Sequence, residues 1–193
     1  MLELVTGTLA APARESGPEA VVETRDFRAA MRELAGAVSV ITVGAGQERT
    51  GFTATSVTSL SVDPPTLLVS ANRRASTFPV LQRLGAFAVN VLAAGQREVA
   101  GRFAGLDGAK GVRRYDGAHW STLVTGSPVL AGALATFDCV VEELIERHSH
   151  AIVIGRVTAI RIGPRDPALV YWRGDYDRIG WTEEEAGLAV GLS

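Results

Sequence analysis

The feature that most constrains the fold is a succession of strand-forming runs that occupies most of the chain between residues 38 and 172. The first run, 38–43, is rich in β-branched residues and is followed by a glycine turn. Two later runs, 133–146 and 151–162, are long, and apolar residues alternate in the first of them. Runs of this kind bury one another in an antiparallel sheet or a barrel.

Helix patterns are short and few. One begins at Asp26 as the predicted N-cap and carries apolar residues at helical spacing up to Leu34. Two others are predicted over 76–84 and 96–104. They are too few and too irregularly placed for repeated βαβ units, so we predict a mainly β fold with short helices (α+β), arranged as a closed or partly closed barrel. The remaining predicted strands cover 51–60, 66–70, 87–92 and 168–172.

The length of 193 residues fits one domain with tails. Residues 1–24 mix alanine, glycine, proline and glutamate without periodicity, which predicts a flexible N-terminal tail. The domain is then expected over 25–180, followed by an acidic C-terminal tail over 181–193.

Charge and cysteine content exclude several classes of protein. A net charge of −2 argues against nucleic acid as the main partner. Cys139 is the single cysteine, which excludes an internal disulfide and a zinc site built on several thiolates. Because no uncharged apolar run approaches the roughly 20 residues of a membrane helix, we expect no membrane span and a cytoplasmic location.

A strip of small side chains is the first candidate for ligand binding. Thr53, Ala54, Thr55 and Ser56 allow a ligand to approach the backbone and offer hydroxyl donors and acceptors without bulk. A planar ligand with polar edges would suit them. The alternative is a polar edge strand, since threonine favours strands in any case.

The second candidate is the segment 70–77, in which a strand ends, a polar loop follows and a helix begins. Free backbone amides at a helix start favour an anion, and a phosphate is the natural guess. Ser70, Asn72, Ser76 and Thr77 could add hydrogen bonds. The alternative is an ordinary helix cap beside solvated arginines.

A third candidate is His148-Ser149-His150, between two long strands. No carboxylate or thiolate nearby completes a ligand set, so a metal site is rejected. The alternatives are a loop histidine beside a cofactor and a solvent-exposed hairpin histidine. The sequence contains no P-loop, no Gly-x-Gly-x-x-Gly dinucleotide motif and no Gly-x-Ser-x-Gly nucleophile elbow, and Cys139 lies in an apolar strand.

Taken in order, these segments resemble the flavin reductase-like family, which has an FMN-binding split barrel with Greek-key-like connections. The branch that looks nearest is the small NAD(P)H:flavin oxidoreductases that serve two-component flavin monooxygenases. The resemblance covers residues 27–176 and is carried by Phe27-Arg28-Ala29-Ala30-Met31, Val38-Ser39-Val40-Ile41-Thr42, Gly51-Phe52-Thr53-Ala54-Thr55-Ser56, Phe87-Ala88-Val89-Asn90-Val91, Gly126-Ser127-Pro128-Val129-Leu130 and Tyr171-Trp172-Arg173-Gly174.

The resemblance implies roles for individual residues. The 53–56 strip would line the flavin ring and ribityl chain, and the 70–77 segment would hold the ribityl and phosphate groups. Phe103 matches an aromatic residue near the flavin, and Tyr171 and Tyr176 match aromatic positions near the pocket mouth. His150 matches the histidine of a Gly-Asp-His motif beside the nicotinamide, although the residues before it here are His148 and Ser149.

The implied activity is oxidation of NADH or NADPH with reduction of FMN or FAD, after which the reduced flavin leaves for a separate oxygenase. The resemblance also implies a homodimer with the flavin close to the interface. Two alternatives stay open at this point: a split-barrel reductase that acts on another substrate, such as a corrinoid, and a flavin-binding protein without turnover.

Overall fold

Strands predominate in the computed structural model, which describes residues 22–182 and Glu185. Its three α-helices, within that part of the chain, are α1 (Thr24–Met31), α2 (Thr77–Leu84) and α3 (Arg97–Ala104). The strands are β1 (Gly36–Ala37), β2 (Ser39–Val43), β3 (Thr50–Ala54), β4 (Thr58–Val62), β5 (Pro65–Asn72), β6 (Ala86–Val91), β7 (Trp120–Thr122), β8 (Pro128–Leu130), β9 (Ala135–Arg147), β10 (His150–Ile162), β11 (Ala168–Trp172) and β12 (Asp175–Ile179).

Seven of these strands form one antiparallel sheet in the order β3-β2-β6-β9-β10-β5-β4. Its two edge strands, β3 and β4, are consecutive in the chain and are joined only by residues 55–57. Four Cα–Cα steps span about 14 Å at most, whereas six strand spacings in a flat sheet amount to about 29 Å. The sheet therefore curls until its edges approach each other, in agreement with the barrel predicted from the elements and with the split barrel that the resemblance implies.

Strand β2, with the sequence Ser39-Val40-Ile41-Thr42-Val43, lies between two apolar cores. All five of its residues are buried, because the strand has a core on each face. Ile41 and Val43 point into the barrel, where they join side chains of β5, β6, β9, β10 and α2. Val40 points the other way, into a second core beneath α3. That second core supports one wall of the cavity described below.

Helix α1 differs from the other two helices, because it has no buried residue. It begins at Thr24 after Glu23, so the prediction of Asp26 as N-cap was wrong by about one turn. Its end is attached to the β11–β12 hairpin, since Arg173 donates to the Arg32 carbonyl and pairs with Glu33 at 2.9 Å. No helix among the described residues is long and apolar enough to cross a membrane.

Apart from α1, which lies about three residues earlier than expected, most predicted elements are present within one or two residues of the expected bounds, with one further exception. The run 51–60 was predicted as a single strand, but the chain leaves β3 after Ala54 and enters β4 only at Thr58. This break places the two strands at opposite edges of the sheet. Strands β1, β7, β8 and β12 were not predicted. The expected N-terminal tail lies almost entirely outside the described residues, and so does most of the expected C-terminal tail.

Candidate active site

A cavity of about 880 Å³ lies between the end of β3, helix α3 and the β11–β12 hairpin. Thr53, Ala54 and Thr55 form its β3 side. Arg97, Glu98, Gly101 and the residues that follow α3 line a second side, and Tyr171, Asp175 and Tyr176 line the third. The volume is within the usual range for a small-molecule or cofactor site.

Some hydroxyl groups of the 53–56 strip bond to other parts of the protein, and one is accessible to a ligand. The Thr53 hydroxyl donates to the Ala100 carbonyl at 2.6 Å and so ties β3 to α3. The Ser56 hydroxyl accepts a hydrogen bond from the backbone amide of Ser70 at 3.1 Å. Thr55 is exposed in the cavity wall, and its hydroxyl has no partner among the described residues. Thr55 is therefore the hydroxyl of this strip that is free to meet a ligand.

The bond between Ser56 and Ser70 connects the cavity to the 70–77 segment. Strand β5 ends at Asn72, whose side-chain oxygen accepts from the Arg74 amide at 2.9 Å. Asn72 and Ser76 are exposed, and the Ser76 side chain makes no capping bond to α2. A ligand that leaves the cavity past Ser56 would reach exposed polar groups at the start of a helix, which favours an anionic end.

Thr77 is different from its neighbour Ser76. Its side chain is 1% exposed, and its hydroxyl lies 3.1 Å from the Thr50 hydroxyl and donates to the Gly51 carbonyl at 3.2 Å. These bonds join α2 to β3. The structure thus places Thr77 inside the protein, so its hydroxyl is not available for the ligand contact that the sequence suggested.

His150 is placed beside the 70–77 segment and not among the residues that line the cavity. It begins β10 and stands opposite Asn72 in the register with β5. The ring is exposed, and its Nδ1 lies 2.9 Å from the Ser149 hydroxyl. A group bound near Asn72 would therefore have an imidazole within reach.

Phe103 lies under the cavity and not in its wall. Its ring is 1% exposed and packs edge-on against Tyr115 with 5.0 Å between centroids, and against Trp120 at 5.6 Å. A side chain at Gly51 would lie 2.7 Å from the Phe103 ring, so β3 rests directly on it. Phe103 supports the strip from beneath, and any influence on a ligand passes through β3.

The hairpin side of the cavity carries an aromatic pair and an ion pair. Tyr171 and Tyr176 pack edge-on with centroids 5.4 Å apart, and burial together with the neighbouring Tyr171 raises the pKa of Tyr176. The Arg97 guanidinium lies 5.4 Å from the centre of the Tyr176 ring and 2.6 Å from Oδ1 of Asp175. Arg97 and Asp175 could not be predicted from the sequence, because no local pattern indicates that α3 and β12 meet.

The cavity offers binding and orientation and has no activated nucleophile. Burial, with a smaller contribution from Asp138, raises the pKa of the Cys139 thiol to about 12, and that side chain lies in the barrel core. Among the residues that the structure describes, no group of three or more histidine, cysteine or carboxylate side chains could hold a metal ion. A planar ring in the cavity with an anionic arm towards 70–77 matches the available groups.

Comparisons with known proteins agree with this geometry. The model of the family described as "Flavin reductase like domain" matches residues 31–180. The FMN reductase (NADH) RutF of Stutzerimonas stutzeri is 41% identical over 81% of this chain and 89% of its own length. The structure of BorF, the flavin reductase component of a bacterial two-component tryptophan halogenase, has a TM-score of 0.76 and 34% identity over 83% of this chain and all of BorF. The NADH:FAD oxidoreductase SgcE6 of Streptomyces globisporus, solved with NAD and FAD fragments, has a TM-score of 0.74 and 31% identity over 84% of this chain and 98% of its own.

Proposed function

Because the chain belongs to the flavin reductase-like family, its activity is the reduction of a flavin by a nicotinamide dinucleotide, and we propose that the reduced flavin then leaves for a separate oxygenase. The observation that carries the proposal is the hydrogen bond between Ser56 and Ser70. Ser56 directly follows Thr55 of the wall of the 880 Å³ cavity, and Ser70 begins the segment that leads to exposed polar side chains at the start of α2, so the bond links the two regions. One ligand with a planar head and an anionic arm, such as FMN or the FMN half of FAD, fits both parts.

With the flavin bound in this way, each residue of the 53–56 strip and the 70–77 segment has a proposed role. The isoalloxazine ring would lie against Ala54 and Thr55, with Tyr171 on the opposite side of the cavity. The ribityl chain would pass Ser56 and Ser70, and the phosphate would meet Asn72 and Ser76. Thr53 and Thr77 hold the walls in place through their bonds to Ala100 and Gly51.

The protein contributes position and surroundings to the reaction. When both ligands are bound, hydride passes from the nicotinamide to the flavin ring, which also takes up a proton, and the dinucleotide leaves oxidised. Holding two rings face to face can supply much of the rate, so no protein nucleophile is required. His150 is our candidate for positioning the nicotinamide because the family resemblance assigns its histidine that role, and its imidazole is exposed and open to a ligand.

Two observations bear on the choice of substrates. The curated relative RutF is named an FMN reductase that uses NADH, whereas SgcE6 is named an NADH:FAD oxidoreductase. The cavity and the 70–77 segment would contact the ring, ribityl chain and phosphate that FMN and FAD share. We therefore expect the enzyme to accept both flavins and to prefer NADH. Initial rates measured for each flavin with each dinucleotide test this, and equal or higher rates with NADPH would contradict it.

Transfer to an oxygenase is supported by BorF, which is the reductase component of a two-component halogenase. The test separates this enzyme from a flavin-dependent oxygenase with a dialysis membrane, reduces the flavin with NADH under anaerobic conditions and then admits oxygen. Oxygenase product on the far side supports a diffusible flavin. If the enzyme reduces its bound flavin repeatedly but no product forms there, the carrier role is refuted. We expect this exchange in the cytoplasm, a reducing compartment suited to a chain with one buried thiol.

We also propose that two copies pair through α1. This helix buries none of its own residues, and Phe27 is 58% exposed beside an exposed Met31. Apolar side chains left exposed on one helix face mark an interaction surface. Light scattering at micromolar concentration should give the mass of a dimer. Phe27→Asp should give a monomer, whereas Val124→Asp, a substitution of another exposed apolar residue, should not.

A further inference from the structure

A glycine in the middle of α3 leaves part of the cavity wall without a side chain. Gly101 lines the cavity, and a methyl group placed on it would contact only Leu106, at 3.5 Å. Its φ does not lie in the left-handed region, so the fold does not require glycine here. Alanine would favour the helix by about 1 kcal/mol. The chain therefore keeps an open space at this point at some cost in helix stability.

Leu106 stands over that space. Helix α3 ends in a reverse turn in which Gly105 has a φ of 82°, the Leu106 amide donates to the Gly101 carbonyl at 3.0 Å and the Gly105 amide donates to that of Arg102 at 3.1 Å. In such a turn the residue at the position of Leu106 normally packs on an apolar side chain at the position of Gly101. Because that side chain is missing, Leu106 remains 77% exposed although it lines the cavity.

The loop that carries Leu106 is nevertheless tied down. One carboxylate oxygen of Asp107 accepts from the Ala109 amide at 2.9 Å, and the other accepts from Nε of Arg102 at 3.3 Å. The exposed leucine therefore has a defined position beside the bare backbone of Gly101. The apolar side chain of Leu106 and the uncovered backbone of Gly101 lie side by side in the cavity wall, and together they offer an apolar face to a flat group.

We propose that Gly101 and Leu106 form the seat for the methyl-bearing benzene end of the flavin ring, an inference that rests on the proposed function. Leu106 offers no hydrogen bond, so it does not suit the pyrimidine end of the flavin or the carboxamide of nicotinamide, both of which need polar partners. The dimethylbenzene end is the apolar part of the ring. Its burial against Leu106 removes apolar surface of both groups from water, which favours binding.

The test measures flavin affinity and stability in Leu106→Ala and Gly101→Ala. FMN binding is followed by flavin fluorescence, and a parallel titration uses an FMN analogue without the two ring methyl groups. Leu106→Ala should weaken FMN binding about tenfold, because alanine offers less apolar surface to the ring. Its melting temperature should not change, since the side chain is exposed. Gly101→Ala should weaken FMN binding while it raises the melting temperature, a combination that a purely structural role would not produce.

The analogue and a control variant make the proposal specific. The methyl-free analogue should lose clearly less affinity than FMN in Leu106→Ala, and the KM for NADH should remain within about twofold of wild type. Val124→Ala, at a position 74% exposed and outside the cavity, should behave as wild type in every measurement. Unchanged FMN affinity in folded Leu106→Ala overturns the proposal, as does an equal loss for both flavins. If the wild-type protein binds FMN but does not oxidise NADH, the proposed function is refuted. The titrations of Leu106→Ala and Gly101→Ala then still decide whether these residues contact the flavin ring.

Discussion

Two neighbouring hydroxyl groups, those of Ser76 and Thr77, should respond to substitution in opposite ways. Thr77→Val keeps the shape of the side chain and removes its hydroxyl. The buried Thr50 hydroxyl then loses its side-chain partner, whereas the Gly51 carbonyl still accepts from Arg114. An unsatisfied buried hydroxyl costs about 1–2 kcal/mol. For a chain of this size, each kcal/mol corresponds to about 2–4 °C in melting temperature.

Ser76→Ala should leave the melting temperature unchanged, because Ser76 is exposed and its side chain makes no capping bond. It should weaken FMN binding about tenfold, as expected for loss of a hydrogen bond to a charged group. Riboflavin lacks the phosphate, so its affinity should be the same in Ser76→Ala and wild type. Thr77→Val should keep the wild-type ratio of FMN to riboflavin affinity, since its hydroxyl points to β3.

The assay is a thermal melt of each variant together with fluorescence titrations of FMN and riboflavin. Thr77→Val tests the effect on melting temperature and Ser76→Ala tests the effect on FMN affinity. Each variant is the control for the other. The reasoning is refuted if Thr77→Val lowers the affinity ratio without lowering the melting temperature. It is also refuted if Ser76→Ala weakens both flavins equally, since the phosphate would then not be the group that Ser76 meets.

Three further predictions follow from the site. Thr55→Phe should fill the β3 side of the cavity and weaken flavin binding at least tenfold without unfolding the protein, as measured by titration and melting; unchanged affinity would remove this residue from the site. His150→Ala should raise the KM for NADH or lower turnover more than it changes flavin affinity, and a loss confined to flavin binding would assign the imidazole to the wrong ligand. Cys139 should resist alkylation at pH 8 in the native protein, because burial raises the pKa of its thiol to about 12, and should react fully after unfolding; rapid native labelling with loss of activity would contradict its place in the core.

The element types could be predicted from the sequence because their signals are local. β-branched runs bounded by glycine and proline gave the long strands. The strip at Thr53–Ser56 could also be selected as a candidate, since small hydroxyl side chains leave room for a ligand, although a polar edge strand has the same residues. Thr55 lines the cavity, and its contact with the flavin stays a prediction.

The direction in which each hydroxyl points could not be predicted, because it depends on contacts between distant segments. Thr53 is engaged by Ala100 and Thr77 by Gly51, partners that lie 47 and 26 residues away in the sequence. The contact of Arg97 with Asp175 could not be predicted for the same reason, since the two residues are 78 positions apart in the sequence. The family resemblance assigns ligand contact to all of these hydroxyl groups together, but packing decides which of them remain accessible.

The small number of accessible polar side chains limits the affinity for flavin. Thr53, Ser56 and Thr77 hold protein segments together, so Thr55, Ser70, Ser76 and the side-chain nitrogen of Asn72 are the side-chain groups of the two segments left to meet the ligand. An enzyme that delivers reduced flavin at about 10 per second must release it at least that fast. With association at about 10⁶–10⁷ M⁻¹s⁻¹, release at this rate corresponds to a dissociation constant of about 1–10 μM. A hydrogen bond to a neutral group at about 1 kcal/mol and bonds to the charged phosphate at about 1.5–3 kcal/mol each, added to burial of one ring and reduced by the cost of association, are compatible with affinity in this range. Isothermal titration of the enzyme with reduced FMN under anaerobic conditions measures it directly, and a nanomolar constant would mean that the flavin stays bound and that the carrier role is wrong.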